Sequence, residues 1–312
     1  MKKSSGSVMT IGNFDGFHLG HRSLMAFLQM KSQSFGLPGY VVTFKPHPIE
    51  VLYPARKFER LFDEKDQEEQ ISQFPPLALK IIQFDEQFSK QSPTEFLNFL
   101  CDQFQPKAFV VGHDFMFGHK KSGDHDLLKS YCLDHHIDLQ IMPAITLEGK
   151  IVSSSKIRDE LKLGGIEFAN RMLGRSFYLE GTVVHGRKLG RTLGIPTANL
   201  NVSSSFVPRY GVYLSRVFIQ NNQNFKCRYA VTNIGVNPTV SEENKAKVEN
   251  HIFDFASDIY GQKLRVELLK YIRNEKKFNS VDDLKVQIGR DLAEAKQHIS
   301  IIEESQKELR GK

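Results

Sequence analysis

The chain has 312 residues, of which 40% are apolar and 25% are charged, and at about 150 residues per domain this length predicts two modules. It contains no apolar run near the roughly 20 residues of a membrane span and no apolar core of a secretory signal, so we expect a cytoplasmic protein without a membrane partner. The net charge of +6 suits the handling of phosphates but is too small to indicate nucleic acid, and three widely spaced cysteines predict structural thiols rather than disulfides or a zinc site.

The first half of the chain alternates short apolar runs with helical patterns. Helices are predicted over 19–28 and 94–104. Buried strands are predicted at 8–11, 39–44, 78–84, 108–112 and 139–142. Such alternation favours an α/β fold with a parallel, doubly wound sheet. The charged stretch 52–73 fits either a helix or a mobile excursion, and the sequence does not decide between them.

The second half of the chain has a different residue pattern. Helical patterns at 156–163 and 166–173 lead into it, and we predict the domains as 1–165 and 166–312. Strands are predicted at 177–184, 211–219, 227–234, 249–255 and 263–272. Short strands in series favour an antiparallel β-barrel. The tail from Ser280 to Arg310 has the pattern of a capped helix.

A glycine loop follows the first strand and precedes the first helix. Backbone amides at such a junction point toward a bound anion, and glycine lets the backbone approach it closely. The residues predicted to bind ATP here are Gly12, Asn13, Phe14, Asp15 and Gly16. His18 and His21 are three residues apart, so both imidazoles can face the same phosphate chain. An isolated pair of this kind would indicate surface or metal-binding histidines, but the strand and the glycine loop before it resemble the nucleotidyltransferase superfamily.

Two further segments of the first half contribute candidates. Ser154, Ser155 and Arg158 supply hydroxyls and a cation suited to the phosphates of ATP, although a serine cluster before a helix can also be a simple cap. The segment 111–118 combines glycines and aromatic residues in a manner that suits a loop over a flat ring. An aromatic pair alone would more often belong to the core.

The second half has its own glycine-rich basic segment, 181–199. Gly186, Lys188 and Gly190 can wrap a triphosphate, although the segment is not a P-loop. Thr197 and Asn199 offer the oxygen ligands that Mg²⁺ prefers. A basic hairpin with a Pro-Thr turn is the alternative interpretation.

Over nearly its whole length the chain resembles the bifunctional prokaryotic riboflavin kinase/FAD synthetases. The segments that carry the resemblance are 12–21, 45–48, 111–118 and 153–158 in the first half, and 171–177, 190–199, 210–213, 233–239 and 249–255 in the second. The resemblance implies a Rossmann-like nucleotidyltransferase domain followed by an antiparallel β-barrel flavokinase domain with a C-terminal helix. It also implies riboflavin, FMN and ATP as substrates, FAD as a product and Mg²⁺ as cofactor.

The same resemblance assigns roles to single residues. Glu249 becomes the base that takes a proton from the terminal ribityl hydroxyl, while Thr197 and Asn199 hold MgATP. The residues that would contact flavin in the first domain are His47, Asp114, Phe115 and Phe117. Those that would contact flavin in the second domain are Asn233 and Arg265. From the residues alone, Glu249 would be a solvated carboxylate at a strand edge.

Two other hypotheses remain open at this point. A nucleic-acid-binding protein with a relict nucleotidyltransferase fold would use the basic cluster Arg187, Lys188 and Arg191. A flavin-binding carrier would bind the ligand without ATP turnover. The leading hypothesis has small-molecule substrates, no nucleic acid, and a monomer or weak homo-oligomer.

Overall fold

The computed structural model describes residues 6–186, 194–202, 204, 206–221, 224–236 and 246–310. The chain divides into two units, Met1–Lys156 and Ile157–Lys312. Our predicted domain boundary, after residue 165, lies further along the chain and stays a prediction for the functional limits.

Five parallel strands form the sheet of the first unit in the order β3-β2-β1-β4-β5. They are β1 (Ser7–Ile11), β2 (Gly39–Lys45), β3 (Ala78–Gln83), β4 (Pro106–Gly112) and β5 (Asp138–Met142). The central strand β1 is buried along its whole length, because its alternate side chains enter two different cores. Val8 packs in one core, and Met9 and Ile11 pack in the other. This confirms the predicted doubly wound sheet.

Helices cover both faces of this sheet. They are α1 (Leu19–Phe35), α2 (Pro48–Leu52), α3 (Glu64–Ser72), α4 (Pro93–Phe104) and α5 (His125–Asp134). The core around Val8 receives side chains of α1 and α3, whereas the core around Met9 receives those of α4 and α5. The ambiguous stretch 52–73 therefore contains α3, which starts after the N-cap Asp63. The Asp63 carboxylate accepts a hydrogen bond from the backbone N–H of Asp66 at 2.9 Å.

Short elements complete the first unit and lead out of it. Two short 3₁₀ turns are Phe88–Lys90 and His119–Lys121. A small hairpin of β6 (Thr146–Leu147) and β7 (Lys150–Ile151) was not predicted. The helices α6 (Ser154–Leu163) and α7 (Ile166–Leu173) confirm the two predicted helical patterns. The helix α6 begins in the first unit and continues into the second.

The second unit is a closed antiparallel barrel with the strand order β10-β11-β12-β9-β8-β13. Its strands are β8 (Tyr178–Val184), β9 (Ala198–Val202), β10 (Gly211–Asn221), β11 (Asn224–Val236), β12 (Ala246–Ile252) and β13 (Lys263–Arg273). The six strands agree with the barrel that the resemblance implied. The apolar pattern of the sequence predicted five of these strands but not β9.

Side chains of the barrel strands alternate between the interior and the outer face. On β12, Val248, Asn250 and Ile252 are buried inside the barrel, whereas Glu249 and His251 lie on the outer face and are half-buried. Part of this outer face is covered by the C-terminal helix α8 (Val281–Arg310), whose Ala295 and Leu292 join the same core as Val212 of β10.

Candidate active sites

The glycine loop after β1 is held in a strained conformation. Gly16 has φ 81°, a left-handed value that glycine adopts without steric cost. Phe14 and Phe17 have φ values of 50° and 45°, which are unusual for residues with a side chain. Backbone strain of this kind persists only where the surrounding structure enforces it, and it is concentrated at ligand sites. Here burial enforces it, because Phe14 is 4% and Phe17 0% exposed.

Three side-chain contacts fix the loop from outside. The carboxylate of Asp15 accepts a hydrogen bond from the backbone N–H of Leu61 at 3.0 Å. The amide of Gln67 donates to the carbonyl of Asn13 at 3.0 Å. The hydroxyl of Ser154 donates to the carbonyl of Asp15 at 2.7 Å. The structure thus joins the predicted serine cluster to the loop, although 139 residues separate Ser154 from Asp15.

A cleft opens beside this loop. Its lining residues are Asn13, Phe14, Asp15, Gly16, His47, Arg60, Phe62, Asp63, Asp66 and Gln67. His47, predicted to contact flavin, therefore shares a cleft with residues predicted to bind ATP. The last five residues come from the ambiguous stretch 52–73, and sequence reasoning missed all of them. Hydrophobic periodicity could not have found them, because they are mostly polar.

His47 is placed by its role in helix α2. Its Nδ1 accepts a hydrogen bond from the backbone N–H of Ile49 at 3.2 Å, and Glu50 completes a capping box. The imidazole stacks on the ring of Phe58, with 3.9 Å between the ring centroids. The side chain is 6% exposed, so its ring is held in one orientation at the cleft.

His18 and His21 form a stacked pair at the start of α1. Their ring centroids lie 3.7 Å apart and their planes differ by 18°. His18 is the N-cap of the helix, and its Nδ1 accepts a hydrogen bond from the backbone N–H of His21 at 3.4 Å. In a neutral imidazole with Nδ1 as acceptor, the proton sits on Nε2. His18 can therefore donate from Nε2.

Both imidazoles are neutral at physiological pH. Burial lowers the pKa of His18 to about 4, against an opposing attraction from the Asp114 carboxylate. Burial also lowers the pKa of His21 well below its usual value, and the neighbouring His18 lowers it further. The pair can thus donate hydrogen bonds to a phosphate chain without carrying charge.

The glycine loop and Asp114 follow the two strands between which the strand order of the sheet reverses. The order β3-β2-β1-β4-β5 reverses direction between β1 and β4, and open α/β sheets bind ligands outside the carboxyl ends of the strands at this point. The glycine loop follows β1, and Asp114 follows β4. The Asp114 carboxylate acts to raise the pKa of His18, against the larger effect of burial.

The other predicted residues of the first domain differ in burial and in position. Phe117 is 5% exposed and belongs to the core, while Phe115 stacks on it with 5.3 Å between centroids and is half-buried. Only Phe115 of this pair therefore presents a ring to the outside. Ser155 is exposed, and Arg158 lies on the part of α6 that belongs to the second unit.

In the barrel, three predicted residues form a row across adjacent strands. Glu249 on β12 is paired with Asn199 on β9 and with Asn233 on β11. Residues directly opposite in an antiparallel pair have Cβ atoms about 4.5–5.5 Å apart and lie on the same face. We call Asn199, Glu249 and Asn233 the carboxylate row. Strand register alone brings these residues together.

Two residues contact side chains of the carboxylate row. The ammonium of Lys247 contacts Oε1 of Glu249 at 2.9 Å, and both side chains are half-buried. Gly186 lies against the side chain of Asn199, since a Cβ atom at Gly186 would be only 2.2 Å from Asn199 Nδ2. Sequence reasoning missed Lys247, whose position two residues before Glu249 places it on the same face of the strand.

One predicted residue of the barrel, Arg265, does not join the row. Lys188 and Gly190 lie outside the described residues. Arg265 is paired with Glu180 on β8, and its Nε donates to the Glu180 carboxylate at 2.5 Å. On β8, Glu180 lies four residues from Val184, which is paired with Asn199, so roughly 13 Å along the strand separate Arg265 from the row. The arginine also lies over the ring of Tyr178, 4.2 Å from its centroid.

Across the ranges that the structure describes, no cluster of three or more His, Cys, Asp or Glu side chains could hold a metal ion. Thr197 and Asn199, the residues we predicted for magnesium, are of other types. Among the described helices, none has the length and apolar character to cross a membrane.

Both units therefore carry groups suited to phosphate chemistry, which places the chain among ATP-dependent transferases with two separate sites. A family model described as FAD synthetase matches residues 1–156, and one described as riboflavin kinase matches residues 173–299. The chain belongs to the family of bifunctional riboflavin kinase/FMN adenylyltransferases.

Individual relatives agree with this assignment. A protein of Pseudomonas fluorescens with the family's name is 36% identical over 292 residues, which cover 93% of this chain and 92% of the relative. The Bacillus subtilis protein of the same name is 35% identical and covers 94% and 93%. A solved structure from Streptococcus pneumoniae, titled as a macrolide-efflux protein, has a TM-score of 0.85 at 32% identity and covers 94% of each chain.

Proposed function

We propose that the barrel phosphorylates riboflavin to FMN with ATP, and that the first unit adenylylates FMN to FAD with a second ATP and releases pyrophosphate. The observation that carries the proposal is that each unit matches its own enzyme family and gathers its own phosphate-directed residues. The nucleic-acid alternative is not favoured, because the relatives are named as enzymes acting on small molecules. We propose further that the protein acts in the cytoplasm, as a monomer or weak homo-oligomer.

In the barrel, Glu249 is proposed to take the proton of the terminal ribityl hydroxyl. The oxygen then attacks the γ-phosphorus of ATP, and ADP leaves. The ion pair with Lys247 uses Oε1 of the carboxylate, so Oε2 is the atom that receives the proton. Asn233, which is paired with Glu249 from β11, is proposed to hold the flavin substrate. Positioning of this kind supplies much of the catalysis in phosphoryl transfer.

The side-chain oxygens of Thr197 and Asn199 are of the kind that binds a magnesium ion. The side chains of Thr197 and Asn199 supply neutral oxygen donors, and Asn199 is directly opposite the Glu249 carboxylate. Mg²⁺ binds such hard oxygens and commonly keeps several waters. When bound, it would neutralise charge on the phosphates of ATP. Gly186 packs against Asn199, so the amide is held in place before any ligand arrives.

In the first unit, the phosphate of FMN is proposed to attack the α-phosphorus of ATP. Charge develops on the oxygens of the transferring group and of the leaving pyrophosphate, and hydrogen-bond donors fixed in advance stabilise it. The neutral His18 and His21 are such donors, as are the amides at the start of α1. His47 and Phe115 would contact the flavin ring, and Asp114 would lie beside it. No covalent intermediate with the protein is needed.

A product assay tests the proposal directly. The purified chain is incubated with riboflavin and MgATP, and the products are separated by chromatography. We expect FMN to form first and FAD to follow. Accumulation of FMN alone would show that the first unit does not catalyse adenylyl transfer, and formation of neither product would reject both proposed activities. Retention on RNA at physiological salt, without product, would favour the nucleic-acid alternative.

A further inference from the structure

The segment before β9 carries Thr197, but the strand ladder does not reach it. The pairing between β12 and β9 comprises Val248 with Leu200, Glu249 with Asn199, and Asn250 with Ala198. Thr197 is the next residue and lies outside the strand. The ladder therefore fixes Asn199 against Glu249, while the position of Thr197 depends on other contacts.

Two side chains of β12 supply such contacts from opposite faces. Inside the barrel, the amide of Asn250 donates to the carbonyl of Ala198 at 3.2 Å. On the outer face, Nδ1 of His251 lies 2.9 Å from the carbonyl oxygen of Pro196. A carbonyl oxygen can only accept, so the proton of this hydrogen bond belongs to His251 Nδ1. The two fixed carbonyls belong to the residues immediately before and after Thr197.

The imidazole of His251 is itself held from the opposite side. It is paired with Val231 on β11, a 9% exposed residue of the core beneath α8. Its ring also meets Phe253 edge-on, with 5.8 Å between the centroids and 78° between the planes. The ring thus links a packed part of the barrel to the segment 194–197.

We infer that His251 is a positioning residue for riboflavin phosphorylation, which holds Thr197 at the correct place beside Glu249. The inference rests on the proposed kinase function of the barrel. His251 shares the face of Glu249 and follows it by two residues, so one strand fixes both the proton acceptor and the segment that would hold MgATP. Reacting groups must be placed closely for transfer, and a hydrogen bond at the edge of a ladder provides that restraint.

Three substitutions separate the hydrogen bond from the packing of the ring. His251→Asn retains a donor close to the position of Nδ1, His251→Gln places its donor nearer the position of Nε2, and His251→Phe retains the ring without a donor. We expect the KM for MgATP in FMN formation to rise about 3- to 10-fold in the Gln and Phe variants, as for the loss of one hydrogen bond. We expect the Asn variant to stay within about twofold of the parent, and the KM for riboflavin to change little in all three.

A measurement without ligand adds an independent readout. Amide hydrogen exchange of the peptide covering 194–202 should be faster in the Gln and Phe variants than in the parent, and unchanged in the Asn variant. His298→Gln, on α8 and with a side chain that is 27% exposed, is the matched control and should alter neither quantity. Conversion of supplied FMN to FAD by the same preparations should be unaffected, because it belongs to the first unit.

The outcomes that would overturn the inference are distinct. Equal impairment of the Asn and Phe variants would show that the donor is irrelevant, and full activity of all three would show that the contact is dispensable. Loss of riboflavin binding in all three would mean that His251 stabilises the barrel as a whole. This result would also overturn the inference that His251 positions Thr197. Absence of FMN formation in the parent would instead reject the proposed function, so the two failures can be told apart.

Discussion

The two sites of this chain are assembled in different ways. In the first unit, the residues lie on loops that follow β1, β2 and β4, and they meet because parallel strands end at one edge of the sheet. In the barrel, the carboxylate row is placed by register between adjacent antiparallel strands. A ladder has many backbone hydrogen bonds, whereas the glycine loop is held by a few side chains. The geometry of the first site should therefore depend on individual side-chain contacts.

The electrostatic character of the sites differs as well. The paired histidines of the first unit are neutral because burial disfavours their charged forms. The barrel instead keeps a charged pair, Lys247 with Glu249, at a half-exposed position. The first site thus offers neutral hydrogen-bond donors, while the second offers a charged proton acceptor. Acid should affect the first unit through the burial of its histidines.

The largest effect is expected from Glu249→Gln. The substitution keeps the shape of the side chain but removes its ability to accept a proton, so we expect kcat for FMN formation to fall about 100-fold or more. Conversion of supplied FMN to FAD should be unchanged, since it uses the other unit. Both rates are measured by chromatography on one preparation. Glu294→Gln on α8 is a matched control. An equal loss of both activities would contradict separate sites.

A smaller effect concerns the stability of the first unit in acid. Well above pH 6.5, His18 is neutral in both the folded and the unfolded chain, and it does not affect the balance between them. As the pH falls from about 6.5 toward 4, the unfolded chain takes up a proton that the buried imidazole does not. The titration of His18 should therefore lower the free energy of unfolding by about 2 kcal/mol at pH 5. Protonation of His21 in the unfolded chain acts in the same direction.

The variant His18→Asn isolates this effect, because asparagine is a good N-cap but does not titrate. Hydrogen exchange of peptides from α1, compared at the same pH, reports on the first unit alone. Relative to the parent, the variant should gain protection at pH 5 compared with pH 7.5. Should the difference between variant and parent be the same at both pH values, burial of His18 would not be a source of acid sensitivity.

The overall fold could be predicted from the sequence because it depends on local patterns. The buried strands of the sheet are apolar runs, and the C-terminal helix has a cap that the structure confirms, with the backbone N–H of Asp283 donating to the hydroxyl of Ser280 at 3.1 Å. Strand β9 was missed, because a segment of five residues with two asparagines has little apolar pattern of its own. It becomes a strand by pairing with β8 and β12.

The sites could be predicted only in part, because local patterns are visible in the sequence and long-range contacts are not. The glycine loop and its histidines are contiguous, and Asn199 was predicted as a magnesium ligand from its side-chain oxygen. Glu249 and Asn233 were assigned by resemblance. The contributions of Arg60 and Gln67 to the cleft depend on how the stretch 52–73 folds back on the loop. The contacts of Lys247 and His251 depend on the alternation of side chains along β12. Such long-range placement is not encoded in any short segment.

The smallest expected effect tests whether a single side-chain contact holds the loop of the first site in place. Ser154→Ala removes the hydroxyl that donates to the Asp15 carbonyl at 2.7 Å, and Asp15 lies in the loop that would receive ATP. Loss of one such bond should raise the KM for ATP in FAD formation about two- to fivefold with little change in kcat.

Ser34→Ala, which removes an exposed hydroxyl at the other end of α1, should leave this KM unchanged. FMN formation by the barrel should be the same in both variants. An unchanged KM in Ser154→Ala would mean that the contacts of Leu61 and Gln67 hold the loop by themselves.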